Sequence, residues 1–166
     1  MMSERPDVGD PFPWPSAENA LLAPEGGTLG AGDFAGRPVA VFFYPKDDTP
    51  GCTSEAKDFS ALKPAFDEAG VALLGISKDP PDRHAKFSAK HDLSVPLASD
   101  APADAEPAGL AEALGIWVEK NMYGRRYMGM ERSTFLLDGE GRIARVWRKV
   151  KVKDHAEEVL EAARAL

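Results

Sequence analysis

A single cysteine, Cys52, closes the stretch Pro45-Lys-Asp-Asp-Thr49-Pro-Gly-Cys52 and has the greatest capacity for covalent chemistry in the chain. Taken alone, one cysteine is more often a small buried hydrophobe than a nucleophile. Its surroundings point the other way. The apolar run Val39-Ala-Val-Phe-Phe-Tyr44 precedes it, a polar Pro/Gly turn intervenes, and a helical pattern begins at about Thr53. Cys52 therefore falls at or just inside the first turn of a helix. Unpaired backbone N–H groups and the positive end of the helix dipole stabilise a thiolate there. Ionisation alone is a modest aid. A free thiol is about 3% ionised at pH 7, so complete ionisation raises nucleophile concentration only about thirtyfold, and lower basicity also lowers nucleophilicity. Fast attack on an electrophile further needs donors aimed at the atom that takes up charge.

The elements that must position this residue read as follows. The first 36 residues are rich in Pro and Gly and form an irregular lead-in with short strands. Val39–Tyr44, bounded by Pro38 and Pro45, is a strand buried on both faces. A helix runs from about Thr53 to Ala69, with Phe59, Leu62, Phe66 and Ala69 on one buried face and Pro64 expected to kink it. Val71–Ile76 is a second buried strand, residues 82–91 a charged amphipathic helix, and Val95–Leu97 a short edge strand. Residues 100–107 are a loop by composition, and residues 108–115 a short helix. Arg132–Leu137 and Ile143–Trp147 are strands joined by the turn Asp138-Gly-Glu-Gly141. Asp154 caps a final helix to Ala165, with Glu157 placed to complete a capping box. No repeat and no linker interrupts this order, so residues 1–166 read as one α/β domain with a mixed sheet flanked by helices.

Several other features carry no chemistry. Gly30-Ala-Gly-Asp-Phe-Ala-Gly36 fits a dinucleotide-binding pattern by letters, but that mechanism needs a strand before it and a helix opening within it. A turn or short helix is the better account. His84, His91 and His155 do not fall at zinc-ligand spacing, and His84 and His91, seven apart in a charged helix, read as surface residues. Asp47 and Asp48 are followed by no carboxylates at calcium-loop spacing, so capping and solvation of the turn explain them. No metal and no cofactor is indicated. The net charge of −7 argues against a nucleic-acid partner, and Arg145, Arg148, Lys149, Lys151 and Lys153 read as a solvated face. No run approaches the ~20 apolar residues of a membrane span, and the proline-broken start MMSERPDVGDPFPWP is no signal peptide. The default location is the cytoplasm.

Pro45-Lys-Asp-Asp-Thr49-Pro-Gly-Cys52 resembles the P-x-x-x-T-x-x-C active-site motif of peroxiredoxins. Its extension from Tyr44 to Phe59 is similar to the PrxQ, or bacterioferritin comigratory protein, subgroup. A second block, Tyr123-Gly-Arg-Arg-Tyr-Met-Gly-Met-Glu-Arg132-Ser-Thr-Phe-Leu-Leu-Asp138, resembles that subgroup's strand with the active-site arginine. The likeness runs from about Val39 to Val150. It implies a thioredoxin-like fold and a peroxidase acting on hydrogen peroxide and organic hydroperoxides, in antioxidant defence. Cys52 would be the peroxidatic thiolate, and Thr49 would hydrogen-bond thiolate and peroxide. Arg132 would hold both groups with its fork of donors. Pro45 would shield the thiolate, and the N–H groups of Gly51 and Cys52 would contribute to an oxyanion cradle. Glu55 would be a supporting residue, although dipole complementarity alone also explains it.

One departure bears on mechanism. Many members carry a resolving cysteine five residues after the first, where this chain has Lys57, and others place it in a later helix. With no second cysteine, the chain reads as a one-cysteine enzyme whose sulfenic acid is reduced by an external thiol: thioredoxin, glutaredoxin or a low-molecular-weight thiol. A monomer or weak homodimer is expected. A thiol–disulfide oxidoreductase would need a C-x-x-C dithiol, but positions 49 and 55 are Thr and Glu. A cysteine acyl-transfer enzyme would need a histidine base near Cys52, and neither block contains one. A silent binding module would not need Pro45, Thr49, Cys52 and Arg132 together.

Overall fold

The computed structural model describes residues 5–166, so the readings that include residues 1–4 fall, for those positions, outside the described residues. In the lead-in, Leu21–Leu22 (β1) pairs with Thr28–Leu29 (β2), and Ala31–Asp33 of the glycine-rich stretch forms one short 3₁₀ turn. Then follow β3 (Val39–Phe43), α1 (Pro50–Glu68), β4 (Ala72–Ser77), α2 (Pro81–His91), β5 (Leu97–Ser99) and α3 (Leu110–Ala113). The hairpin of β6 (Trp117–Met122) and β7 (Arg125–Met130) precedes β8 (Ser133–Leu137), β9 (Ile143–Trp147) and α4 (His155–Arg164). Among the described residues the main sheet runs β2-β1-β5-β4-β3-β8-β9. β3, β4 and β5 are parallel neighbours, and β8 and β9 continue the sheet antiparallel.

β3 shows why an unbroken apolar run was needed. Ala40, Phe42 and Tyr44 face a core with Phe59 and Phe66 of α1 and Val159 of α4. Val39, Val41 and Phe43 face a second core with Leu110 of α3, Phe135 of β8 and Phe12 of the lead-in. Alternate residues go to opposite faces, so a strand covered on both sides must be apolar throughout. The Phe42 ring fills the space over Gly75 of β4. A Cβ there would lie 2.5 Å from Phe42 Cζ, so only glycine admits the ring.

Several details differ from the expectations. β5 is not an edge strand, because β1 of the lead-in pairs with it and covers its outer side. α1 begins at Pro50, where proline loses no helical hydrogen bond. The helix runs through Pro64 to Glu68. Proline cannot donate to the Ser60 carbonyl, and the Ser94 hydroxyl takes that acceptor at 3.2 Å. The Ser60 hydroxyl in turn accepts the N–H groups of Ser94 and Val95, each at 3.1 Å. The helix's weak point is thereby its attachment to the approach of β5. Asp154 precedes α4 in a left-handed conformation (φ 61°) and makes no side-chain capping bond, so the expected capping box does not form. The β6–β7 hairpin was not foreseen. Its residues are largely polar and exposed, and only its base enters the core, through Met130 and the partly buried Trp117.

Candidate active site

The register of two strands places the chemistry. Phe43 is the last residue of β3 and pairs with Ser133, the first of β8. Tyr44 and Arg132 therefore leave the sheet side by side at one end. From Tyr44 the chain makes the five-residue loop Pro45–Thr49 and enters α1. Thr49 precedes the helix in an extended conformation, and Pro50, Gly51 and Cys52 form its first turn. The amide groups of Gly51 and Cys52 have no preceding helical carbonyl to bond, so they present donors at the helix start.

Cys52 is 1% exposed. Its Sγ accepts from Arg132 Nη2 at 3.4 Å, and the same guanidinium donates through Nη1 to Glu55 Oε1 at 2.7 Å. The fork thus has one prong fixed by a carboxylate and the other on sulfur. It lies directly over Gly51, where a Cβ would come within 3.1 Å of Arg132 Nη2. A larger residue at position 51 would require the guanidinium to give by a few tenths of an ångström.

Glu55 is more than a dipole-matching surface residue. It is 1% exposed, and its second oxygen, Oε2, is buried with no hydrogen-bond partner among the described residues. Burial pushes its carboxyl up to about 7, against the opposing pull of the Arg132 charge. Burial pulls the Arg132 guanidinium down, but Glu55 and Cys52 outweigh it, leaving the group above its ordinary value. Arg132 is therefore a cation throughout the working range.

Thr49 is half-buried, and its hydroxyl donates to the Lys46 carbonyl at 2.9 Å. With its proton engaged there, Oγ1 offers lone pairs and is set to accept a hydrogen bond. Pro45 is exposed, immediately beyond Tyr44, and Lys57 is exposed on α1. The structure thus gathers Cys52, Arg132, Glu55 and Gly51 into one contact group, with Thr49 three residues before the cysteine.

Sequence reasoning missed four residues around this group. Lys120 of β6 is partly buried. Desolvation and the Arg132 charge pull its ammonium below the ordinary value, while Cys52 and Glu131 oppose this. A second cation therefore lies within electrostatic reach of the thiol, delivered by the hairpin. The others are Tyr44, Asp47 and His84. His84 is not a surface residue: its side chain, like that of Asp47, is 0% exposed, and the two meet at 2.6 Å. The correction has a plain cause. His84 lies on the buried stripe of α2 with Phe87, and a carboxylate inside the protein lets a polar ring sit there. The faint sequence signal was the spacing of His84 and Phe87, three apart on an otherwise charged helix. Among the described residues, no three His, Cys, Asp or Glu side chains are grouped as metal ligands would be.

The model of the AhpC/TSA family matches residues 8–146. The chain belongs to that family. Peroxiredoxin Bcp of Xanthomonas campestris is 49% identical over 131 residues, covering 79% of each chain. Peroxiredoxin Bcp of Bacillus subtilis is 45% identical over 141 residues, covering 85% of this chain and 87% of its own. Among solved structures, the bacterioferritin comigratory protein of Xanthomonas campestris, described for its alkyl peroxide reduction activity, superposes with a TM-score of 0.83. It is 43% identical, with 96% of this chain and 98% of that one covered. A PrxQ mutant from Xylella fastidiosa gives 0.85 at 35% identity, with 98% of each covered.

This member of the family has the thioredoxin-like peroxiredoxin fold and is a thiol-dependent peroxidase with one cysteine. The resemblance in the two sequence blocks therefore extends to the whole architecture. Lys57 and the single cysteine remain its chemical departure, since no intramolecular disulfide can close a catalytic cycle.

Proposed function

We propose that Cys52 reduces hydrogen peroxide and organic hydroperoxides in a one-cysteine cycle, with Arg132, Thr49 and the first-turn amides as its cradle. The thiolate attacks the terminal oxygen of ROOH. The S–O bond forms as O–O breaks, the sulfur is oxidised to sulfenic acid, and RO⁻ leaves and takes a proton. One external thiol then attacks the sulfenic sulfur, releasing water and forming a mixed disulfide. A second thiol displaces Cys52 and leaves as a disulfide. The sum is ROOH and two thiols going to ROH, water and one disulfide.

The observation that carries this reading is the single guanidinium bonded to both Cys52 Sγ and Glu55 Oε1. A fork fixed on one side can keep a donor on sulfur and meet the peroxide oxygens in line with it. Thr49 Oγ1, with its proton on the Lys46 carbonyl, accepts the peroxide O–H and orients the attacked oxygen. The Gly51 and Cys52 amides add donors where charge develops. Pro45, exposed just beyond Tyr44, is assigned the part of limiting water at the thiolate. Alkyl hydroperoxides come within scope because the solved relative from Xanthomonas campestris is described as reducing them. Thioredoxin, glutaredoxin or a low-molecular-weight thiol supplies the electrons, and the protein acts as a monomer or weak homodimer in the cytoplasm. Among the described residues, no helix is long and apolar enough to cross a membrane.

Rapid mixing of the reduced protein with hydrogen peroxide, with no added thiol, tests the reading. The expected result is fast loss of one equivalent per chain, with one oxygen atom gained on Cys52 by mass spectrometry. No fast consumption, or oxygen found on methionine and not on Cys52, overturns it.

A further inference from the structure

Two successive carboxylates of the catalytic loop are each held by a histidine of the same helix. Asp47 Oδ2 meets His84 Nδ1 at 2.6 Å, and Asp48 Oδ1 meets His91 Nε2 at 2.8 Å. His84 and His91 lie two turns apart on α2, so this one helix grips the loop that ends at Thr49. The outer grip is exposed and shared with Lys90, 2.8 Å from Asp48 Oδ2. The inner grip is sealed. Tyr44 donates its hydroxyl to Asp47 Oδ1 at 2.6 Å, and His84 Nε2 reaches the Ala98 carbonyl of β5 at 3.0 Å. The Asp47 amide donates to Asp79 Oδ2 at 2.9 Å, so backbone and side chain of that residue are both fixed.

Loop closure of this kind is not what the fold requires. A buried acid and histidine can often be exchanged for apolar residues of similar volume without loss of stability. What the pair supplies is direction. Asp48 lies in the left-handed region (φ 62°), which Asp adopts more readily than most residues with a side chain, and its carboxylate is held there by His91 and Lys90. That bend turns the chain from the buried Asp47 to Thr49 and the first turn of α1. Both ring nitrogens of His84 face acceptors, the Asp47 carboxylate and a backbone carbonyl. The ring is therefore hydrogen-bonded on both sides. Burial and the nearby Asp47 keep the Tyr44 hydroxyl well above its ordinary value, so it stays a donor.

We propose that Asp47 and His84 are positioning residues of the peroxidase: their buried pair, braced by Tyr44 and Ala98, sets the loop that places the Thr49 hydroxyl and first-turn amides against the bound peroxide. Neither side chain touches the sulfur. Their effect falls on how the peroxide is held, where an error of about 1 Å can cost a hundredfold. The inference rests on Cys52 being the peroxidatic residue.

The test compares two reactions of the same thiol. Attack on hydrogen peroxide needs the whole cradle, whereas attack on iodoacetamide reads the sulfur alone. The double substitution Asp47→Leu with His84→Leu keeps an apolar filling. It is expected to lose at least about thirtyfold in the peroxide rate, with the iodoacetamide rate within about threefold of the parent. Asp47→Asn keeps the shape, accepts from Tyr44 and donates to His84, so its peroxide rate is expected within about threefold of the parent. A double variant that retains the peroxide rate overturns the proposal. Equal losses in both reactions also overturn it, since the effect would then lie on the sulfur. Should the double variant fail to fold, Tyr44→Phe decides, because it removes the hydroxyl that braces Asp47 and lies 3.3 Å from His84 Nδ1 while leaving the pair itself in place. A loss of about fivefold confined to peroxide supports the proposal, and an unchanged rate overturns it. A parent chain that consumes no peroxide defeats the reading of Cys52 itself, and this inference falls with it before any variant is made.

Discussion

The loop that leads to Cys52 and the hairpin that leads to Arg132 stand at the same end of the sheet but are built oppositely. The loop is bound inward by buried polar groups: Tyr44, Asp47 and His84 in one network, and Asp79 on the Asp47 amide. Among the described residues the hairpin enters the core at its base, where the Glu131 amide donates to the Ile116 carbonyl at 2.7 Å and Met130 is buried, and Lys120 alone of its middle is drawn toward the site. Beyond that, Met122, Tyr123, Tyr127 and Met128 are exposed, Tyr123 at 98%. Arg132 nevertheless arrives at the sulfur. Its backbone is fixed by the pairing of β8 with β3, and its side chain by Glu55. A site residue can thus be aligned from a strand end by register and one ion pair. A helix-start thiol needs its loop held side chain by side chain.

The largest effect is expected from Arg132→Lys, which keeps the charge and loses the fork. The peroxide rate constant is expected to fall about a hundredfold while circular dichroism and melting stay parent-like, because strand register still fixes the backbone. A lysine variant with the parental second-order rate would show that charge alone suffices.

Glu55, which fixes the Arg132 side chain, acts on stability. Its carboxyl titrates at about 7 in the folded protein, against 4.5 in the free group. In that window the unfolded chain releases the proton before the folded one does, so stability falls as pH rises from 4.5 through about 7. The loss reaches roughly 3 kcal/mol at completion. In Glu55→Gln this component of the pH dependence should vanish, as read by urea unfolding at pH 5 and pH 8. Equal slopes for the two proteins would show that the carboxylate is better solvated than its burial implies.

His155 of α4 works in the opposite sense, through a shift of similar size. Burial lowers its imidazole to about 4, helped by the Arg132 charge and opposed by Glu158. Its neutral ring faces the Thr134 hydroxyl at 2.8 Å. The stability it contributes is complete above the free value of 6.5 and is lost as pH falls toward 4. His155→Gln should flatten the acid limb of a stability–pH curve and leave the limb above neutrality alone.

The smallest effect is expected at the hairpin tip. Tyr123→Ser and Met128→Ser should change neither the peroxide rate by more than about twofold nor stability by more than about 0.5 kcal/mol. A large rate loss there would mean that the hairpin helps to hold Arg132.

What the sequence determined by itself was local in origin. The apolar run Val39–Tyr44 had to be a strand with both faces covered, and the Pro/Gly turn after it had to hand Cys52 to a helix start. The two blocks around Cys52 and Arg132 carried the family. Tertiary structure decided what local pattern cannot express. β5 became an interior strand because a lead-in strand, too short to announce itself, pairs with it. Glu55 became a buried, unevenly satisfied carboxylate because Arg132, 77 positions away, needed a partner. His84 looked like one polar residue on a charged helix. It is a core residue because Asp47, 37 positions earlier, brings a carboxylate to meet it, and the cost of burying either group depends wholly on the other.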